Sequence, residues 1–320
     1  MNNKKLEMAY KKYKKNFLDG YPMKEMEKKY EEAENKICEI IKNNEIKKDH
    51  IFLTRLARIR LYYLSLWKHM NFLDNKVDDQ SLKKIQIVVF FQCFSQELYK
   101  DRYPNMLLEY NFKYVVTALI HFNLWGWERE EKILFEFIKN NMSSNILDTN
   151  DNNKHIWFLL ELYLKYKNET ILEVCEELNL MAKKTRISNG MKADMIPEDL
   201  GIYGKVLKNF KRENIEELTK EMIVYHSEML ENLGEFGEFR EFAYGFYPIE
   251  ILFLIHIRKK IGLPVPENFD DFLMNNPEAK MKFNDKEPYP EEDELVGKMD
   301  KFYRKNYPEY TPNEYGELFK

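Results

Sequence analysis

Apolar side chains recur every three or four residues along most of this chain, and charged residues fill the positions between them. One such stripe, in residues 23–43, consists of Met26, Tyr30, Ala33, Ile37 and Ile40. That spacing predicts an outer amphipathic helix with these side chains on one face. The run that begins at Ile51, IFLTRLARIRLYYLSLWKHM, is apolar nearly all round, which indicates a helix packed between neighbours.

Further helices are predicted where the stripes are shorter. The segments are 83–94, about 106–122, 128–140, 153–167, 171–184 and one that begins near Pro197. Segment 83–94, KKIQIVVFFQCF, has β-branched and aromatic residues that also suit a strand, but no partner strand or hairpin signal lies nearby. The sequence therefore predicts an all-α protein of about a dozen helices, in antiparallel pairs that form a compact bundle or a short superhelix.

One polar segment suggests a boundary between two parts of the chain. Residues 141–153, NMSSNILDTNDNN, are rich in Ser, Asn and Asp, whose side chains compete for backbone hydrogen bonds and favour turns. We therefore expect an N-terminal helical half, 1–145, and a C-terminal helical half, 146–320. A single continuous domain is the alternative that this pattern leaves open.

A helix that starts after Asn214 carries an unusual density of acid. Its predicted apolar stripe is Ile215, Leu218, Met222, Tyr225, Met229 and Leu233. Off that stripe lie Glu216, Glu217, Glu221, Glu228 and Glu231, and Glu235 and Glu238 continue the same charge beyond the helix. Residues 213–241 hold nine Glu against only Lys220 and Arg240. This face is either a plain solvated surface or a surface that attracts a basic protein.

The overall composition favours an ordinary cytoplasmic protein. The three cysteines, Cys38, Cys93 and Cys175, lie far apart and are odd in number, so they predict neither a disulfide framework nor a CxxC metal site. The charged start MNNKKLEMAYKKYKK is unlike a signal peptide, and no apolar run approaches the ~18 residues that span a bilayer. Lysines near the N-terminus alternate with glutamates, so we expect neither nucleic-acid binding nor membrane contact.

Motifs that would indicate catalysis are lacking in the sequence. There is no HExxH, GxSxG, GxxxxGK[ST] or GxGxxG pattern, and the pair of aspartates in FDDFL has no second acidic motif to complete a metal site. We therefore predict no catalytic residue, no metal and no cofactor, and we expect that the protein is not an enzyme.

Glu250 is the one carboxylate within a strongly apolar stretch, YPIEILFLIHIRKK. It follows Pro248 by two residues, which favours a carboxylate near the positive end of a helix over a buried general acid. His256 lies six residues further on, so it falls on a different face of the helix from Glu250. The other histidines are expected to be structural or solvated.

The order of features in residues 240–300 resembles a known family. An aromatic, Pro, acid start opens the helix of YPIEILFLIHIRKKIGLPVPENFDDFLMNNPEAKM, and a Gly-Leu-Pro turn and the proline-punctuated acidic EPYPEEDELVGKM follow. This order resembles the C-terminal half of the all-helical immunity proteins that protect bacteria from polymorphic toxins, in particular the PoNe-DNase immunity proteins. The resemblance implies a two-part α-helical protein that binds a cognate toxin domain and blocks its active site.

The acidic segment and the resemblance lead to one expected function. We expect an immunity protein whose glutamates attract a cognate toxin domain that is itself basic. A nuclease is one candidate for this toxin, since inhibitors of DNases are commonly acidic on their binding face. Aromatic residues would anchor the complex: Phe236, Phe239 and Tyr247. The alternative is a helical-repeat adaptor or scaffold that binds an unrelated partner through the same surface. The oligomeric state stays open.

Overall fold

The computed structural model describes residues 3–73, 77, 79–100, 102, 112–142, 147, 153–169, 171, 199–231 and 244–320. These residues form twelve α-helices and three short 3₁₀ turns. The helices are α1 (Asn3–Gly20), α2 (Met23–Asn43), α3 (Ile51–Leu73), α4 (Asp79–Tyr99), α5 (Phe112–Trp125), α6 (Glu128–Asn141), α7 (Lys154–Lys167), α8 (Ile202–Asn209), α9 (Glu216–Glu231), α10 (Ile249–Lys260), α11 (Phe272–Asn275) and α12 (Glu294–Asn306). The 3₁₀ turns are Ile46–Lys48, Pro277–Lys280 and Thr311–Tyr315.

The predicted all-α class is confirmed, because the described residues contain helices and turns but no strand. The ambiguous segment 83–94 lies inside the helix α4. Its apolar side chains are buried on several sides, so the β-branched residues serve packing rather than a sheet. The predicted helix at 171–184 and most of the polar segment 141–153 lie outside the described residues.

The chain divides into two compact units, and each is built from two separate stretches of sequence. Unit 1 is Met1–Phe17 with Thr149–Asp285, and unit 2 is Leu18–Asp148 with Lys286–Lys320. The predicted halves, 1–145 and 146–320, do not include two features of this division. Residues 1–17 belong to the same unit as 149–285, and residues 286–320 belong to the same unit as 18–148. A helical pattern carries no information about which distant segment will cover its apolar face.

Unit 2 is organised around α3, which packs between α2 and α4. Aromatic and aliphatic residues of α3 are buried on both of these sides, as the apolar pattern all round this helix predicts. The helix α12 packs against α2 and α4, although all of α7 to α11 lies between them in sequence. The 286–320 stretch is therefore a structural part of unit 2.

Polar contacts fix the 286–320 stretch in unit 2. The fully buried ammonium group of Lys83 pairs with Asp79 at 3.0 Å and with Glu287 at 3.1 Å. The hydroxyl of Tyr307 donates to the carboxylate of Asp49, which lies two residues before the start of α3. Farther along, the ring of Phe319 lies 5.0 Å from that of Phe90 at a right angle, within a larger aromatic cluster.

Unit 1 consists of helices that pack around α7 and α9. The helix α8 packs against both, and α10 also contacts both. The beginning of α1 joins this unit through its aromatic face, where Tyr10 and Tyr13 lie 4.9 and 5.2 Å from the ring of Phe246. Aromatic pairs at such distances add to the stabilisation that comes from burial alone.

Arg258 ties together two loops of unit 1. Its side chain is fully buried. Its guanidinium group donates to four backbone carbonyl oxygens, those of Phe210, Arg212, Glu213 and Pro264, at 2.6 to 2.9 Å. The planar fork of an arginine suits this arrangement, since its five N–H groups point in fixed directions. The loop after α8 and the loop after α10 are thereby held in one position.

Candidate functional site

The acidic helix predicted after Asn214 is α9, and its start has the expected local chemistry. The side-chain oxygen of Asn214 accepts a hydrogen bond from the backbone N–H of Glu216 at 2.9 Å. Such a bond satisfies one of the N–H groups that a helix leaves without a partner in its first turn. The helix ends at Glu231 in the described part of the chain, and Leu233, the last residue of the predicted stripe, lies outside it.

The buried face of α9 is rotated by about one residue from the predicted stripe. The buried side chains of the helix are Thr219, Met222, Ile223, His226, Ser227 and Leu230. Ile215, one residue before the helix starts, is buried as well. Leu218, Tyr225 and Met229 are only half-buried. The prediction was wrong here because it counted apolar residues alone, whereas polar residues with internal partners also lie on the buried face. The hydroxyl of Thr219, for example, donates to the carbonyl of Ile215 at 3.0 Å.

The exposed face of α9 carries a regular row of side chains, which we call the acidic stripe. It consists of Glu217, Glu221, Val224 and Glu228, and all four are exposed. Their spacing of four, three and four residues places them on one side of the helix. Val224 is 40% exposed, so the row holds an apolar side chain between acidic ones.

An open concavity of about 440 Å³ lies along the acidic stripe. Its apolar surface comes from Val224 together with Ile202 of α8 and Tyr225, while the three glutamates of the stripe and Lys220 form its charged boundary. An apolar centre inside a polar rim is the usual anatomy of a protein-binding site. Val224 was not among the partner-binding residues predicted from the sequence, although its position three residues after Glu221 places it in the same row.

Lysines on α9 itself and on neighbouring elements reduce the charge of this face. The ammonium group of Lys205 on α8 lies 3.0 Å from the Glu221 carboxylate. Glu216 lies 3.8 Å from Lys220, and Glu231 lies 4.0 Å from Lys5 of α1. Exposed pairs of this kind contribute little to stability and are screened by salt. They nevertheless make the face less negative than the count of glutamates in the sequence suggests.

One of the remaining predicted partner-binding residues, Tyr247, is not part of this surface. Tyr247 is fully buried in unit 1, so it offers no exposed area to a partner, and we no longer include it. Tyr247 lies between the turn 244–246 and the buried start of α10, so other residues of unit 1 cover its ring. The other four, Glu235, Phe236, Glu238 and Phe239, lie outside the described residues.

A second polar site lies inside unit 1, where three helices meet. The Glu250 carboxylate of α10 lies at hydrogen-bond distance from two imidazole rings, 3.0 Å from His155 Nε2 of α7 and 2.6 Å from His226 Nδ1 of α9. The other ring nitrogen of His226, Nε2, donates to the carbonyl of Gly245 at 2.7 Å. All three side chains are fully buried.

The surroundings of Glu250 favour its ionised form. Burial raises the pKa of this carboxyl, but the two histidines beside it lower it more, through their charge and their hydrogen bonds, so the pKa lies well below its usual range. Glu250 does lie in the first turn of α10, as its distance from Pro248 predicts. Its partners are nevertheless the two histidines, which are 95 and 24 residues away and which no local pattern could indicate.

His256 takes no part in this cluster. It is half-buried, and burial lowers the pKa of its imidazole to about 4, with a further contribution from Lys260. This agrees with the prediction that Glu250 and His256 lie on different faces of the helix. The hydrogen-bond partners of Glu250 are His155 on α7 and His226 on α9. Among the described residues, no group of three or more His, Cys, Asp or Glu side chains has the arrangement that holds a metal ion.

A second open cavity, of about 580 Å³, lies at the start of α9 between segments 213–216 and 264–267. Its walls include Glu213 and Pro264, whose carbonyl groups are both bound by Arg258.

No helix among the described residues combines the length and apolar character needed to cross a membrane. Comparisons of the chain with protein-family models, with curated proteins and with solved structures found no match.

Proposed function

We propose that this protein is an immunity protein that binds a cognate toxin domain through the acidic stripe of α9 and blocks the active site of the toxin. The observation that carries the proposal is the exposed row of Glu217, Glu221, Val224 and Glu228 beside an open concavity. The order of features in residues 240–300, which resembles the PoNe-DNase immunity proteins, supports the same class of function. The protein acts by occupying a cleft and needs no chemistry of its own.

The chemistry of the stripe defines the partner that it fits. Three glutamates in a row favour a basic surface, and their field speeds the approach of such a partner through solvent. Val224, with Ile202 and Tyr225 next to it, offers an apolar centre on which an aliphatic or aromatic side chain of the toxin can dock. A toxin that acts on nucleic acid has a basic active site, and an acidic helix is complementary to it.

The test uses the purified chain and the toxin domain encoded by the adjacent gene. We expect the two to form a complex, and we expect expression of the chain to rescue cells from that toxin. The triple variant Glu217→Lys, Glu221→Lys, Glu228→Lys should slow association by about tenfold or more at low salt, with a smaller effect at high salt. Stopped-flow mixing at several salt concentrations measures this rate.

A matched control separates a local effect from a change in net charge. The variant Glu27→Lys, Glu31→Lys, Glu314→Lys makes the same change of charge at three exposed positions of unit 2. If both triple variants slow association equally, the acidic stripe is not the docking surface. If no complex forms, or if a complex forms without rescue of the cells, the protein is not an immunity protein for this toxin, and the second result would favour an adaptor.

A further inference from the structure

The hydrogen bonds around His226 can be assigned a direction at each atom. Gly245 presents a carbonyl oxygen, which only accepts, so Nε2 of His226 must carry a hydrogen and donate it. The opposite nitrogen, Nδ1, lies 2.6 Å from Oε1 of Glu250. If neither of these two atoms held a proton, two lone pairs would face each other at hydrogen-bond distance inside the protein, which is strongly unfavourable. One proton therefore lies between them.

The second histidine indicates which side holds this proton. Nε2 of His155 lies 3.0 Å from Oε2, the other oxygen of Glu250, and the tautomer with a hydrogen on Nε2 donates to it. A carboxylate that accepts two N–H groups is stabilised in its ionised form. The lowered pKa of the Glu250 carboxyl agrees with this. With Glu250 ionised, the proton resides on Nδ1 of His226, and the ring carries a positive charge.

In the described part of the chain, the aromatic neighbours of the cluster are uncharged near neutral pH. Tyr203 of α8 has its ring 6.3 Å from that of His155, and its other ring neighbours are Phe158 and Tyr225. Among the residues that the structure describes, no lysine or arginine forms an ion pair with Glu250. Within the described residues the ion pairs of the buried carboxylate are therefore with the two imidazole rings, and an unpaired buried charge would be very costly.

We propose that His226 is a buried imidazolium and that unit 1 takes up one proton when it folds at neutral pH, so that the packing of α9 on α10 is a proton-dependent clamp. The unfolded chain at pH above about 6.5 holds His226 in its neutral form. Folding then binds one hydrogen ion from solvent for this pair. The helix that carries the acidic stripe on its outer face is held by that proton on its inner face.

The sign of the pH dependence follows from the proton count. Above pH ~6.5 the folded state binds one more proton than the unfolded state, so raising the pH favours unfolding. For one proton, the unfolding equilibrium constant increases up to about tenfold for each pH unit. This dependence is independent of any partner, so its failure and the failure of the proposed function are separate results.

The variant Glu250→Gln is the matched neutral replacement. The introduced amide can accept from His155 through its oxygen and donate to a neutral His226 through its nitrogen, which preserves all the hydrogen bonds without an added proton. Urea unfolding of the full chain between pH 7 and 9 should therefore show a slope that is smaller by about one proton in this variant. The control His256→Gln, on the same helix but outside the cluster, should keep the slope of the unchanged protein over this range.

Nitrogen NMR of the histidine side chains tests the charge directly in the unchanged protein, even if a variant does not fold. At pH 7.5 we expect both ring nitrogens of His226 to show protonated shifts, and Nδ1 to become unprotonated in Glu250→Gln. A neutral His226 in the unchanged protein would overturn the proposal. Equal slopes for the unchanged protein and for Glu250→Gln would overturn it as well.

Discussion

At the scale of single residues, Arg258 shows how a buried charge can be stabilised by the main chain. Its guanidinium group is bound by carbonyl oxygens of two separate loops. Each carbonyl would lose its partner if the side chain were shortened, and a buried polar group without a partner costs about 1 to 3 kcal/mol. The residue therefore fixes the backbone that surrounds the cavity at the start of α9.

We expect the substitution Arg258→Met to lower the free energy of unfolding by about 3 to 5 kcal/mol, because several carbonyl groups lose their donor together. Urea unfolding followed by circular dichroism measures the change. The neighbouring Lys259 is exposed, so Lys259→Met should alter stability by no more than about 0.5 kcal/mol. Equal losses in the two variants would show that the buried bonds of Arg258 contribute nothing special.

At the scale of elements, the start of α12 combines a helix cap with long-range contacts. Oδ1 of Asp293 accepts from the backbone N–H of Val296 at 2.9 Å, as a helix cap does. Its other oxygen accepts from the hydroxyls of Tyr30 on α2, at 2.7 Å, and Tyr63 on α3, at 2.5 Å. One carboxylate thus joins three helices of unit 2. Burial and the charge of Asp293 raise the pKa of both tyrosines.

Asp271 allows the cap to be separated from the contacts with the tyrosines. It caps α11 by accepting from the N–H of Met274 at 2.8 Å. We expect Asp271→Ala to cost about 1 kcal/mol and Asp293→Ala about 3 kcal/mol, because the second also leaves the buried hydroxyl of Tyr63 and the half-buried hydroxyl of Tyr30 without their acceptor. The measurement is chemical denaturation of each variant.

A double-mutant cycle tests the same point more directly. In the Asp293→Ala background, Tyr30→Phe should have little further effect, whereas in the unchanged protein it should be destabilising. Additive losses in the cycle would mean that the hydroxyl of Tyr30 and the carboxylate of Asp293 do not act together.

At the scale of the whole molecule, each unit contains a histidine that folding keeps neutral. Burial lowers the pKa of His121 in unit 2 to about 3 and that of His256 in unit 1 to about 4. In the unfolded chain both have pKa values near 6.5. Between pH ~6.5 and these folded values, the unfolded state binds more protons than the folded state, and stability decreases as the pH falls.

We expect each of these histidines to reduce the free energy of unfolding by up to about 1.4 kcal/mol for each pH unit below pH ~6.5. The variant His256→Gln should remove one proton from the slope measured between pH 6 and 5, and His121 should continue to contribute. Urea unfolding at a series of pH values gives this slope. An unchanged slope in the variant would contradict a neutral buried His256.

Residues that interact locally were the most predictable part of the fold. The 23–43 helix, the helix from Ile51, and those at 128–140 and 153–167 follow from periodic apolar positions that neighbouring residues determine. The exposure of Glu217, Glu221 and Glu228 also followed from their position relative to the apolar residues of α9. The rotation of the buried face did not, because His226 is buried where groups far from it in sequence, the Glu250 carboxylate and the Gly245 carbonyl, provide its hydrogen-bond partners.

The sequence by itself determined the all-α class, the bounds of several helices and the exposed acids on α9, since these depend on spacing within a few turns of one helix. Only the tertiary structure decided that Glu250 meets His155 and His226, that Tyr247 is covered, and that lysines from α1 and α8 approach the acids of α9. The physical reason is that these interactions join residues far apart in the chain. Their energies depend on distances and burial that a one-dimensional pattern does not contain.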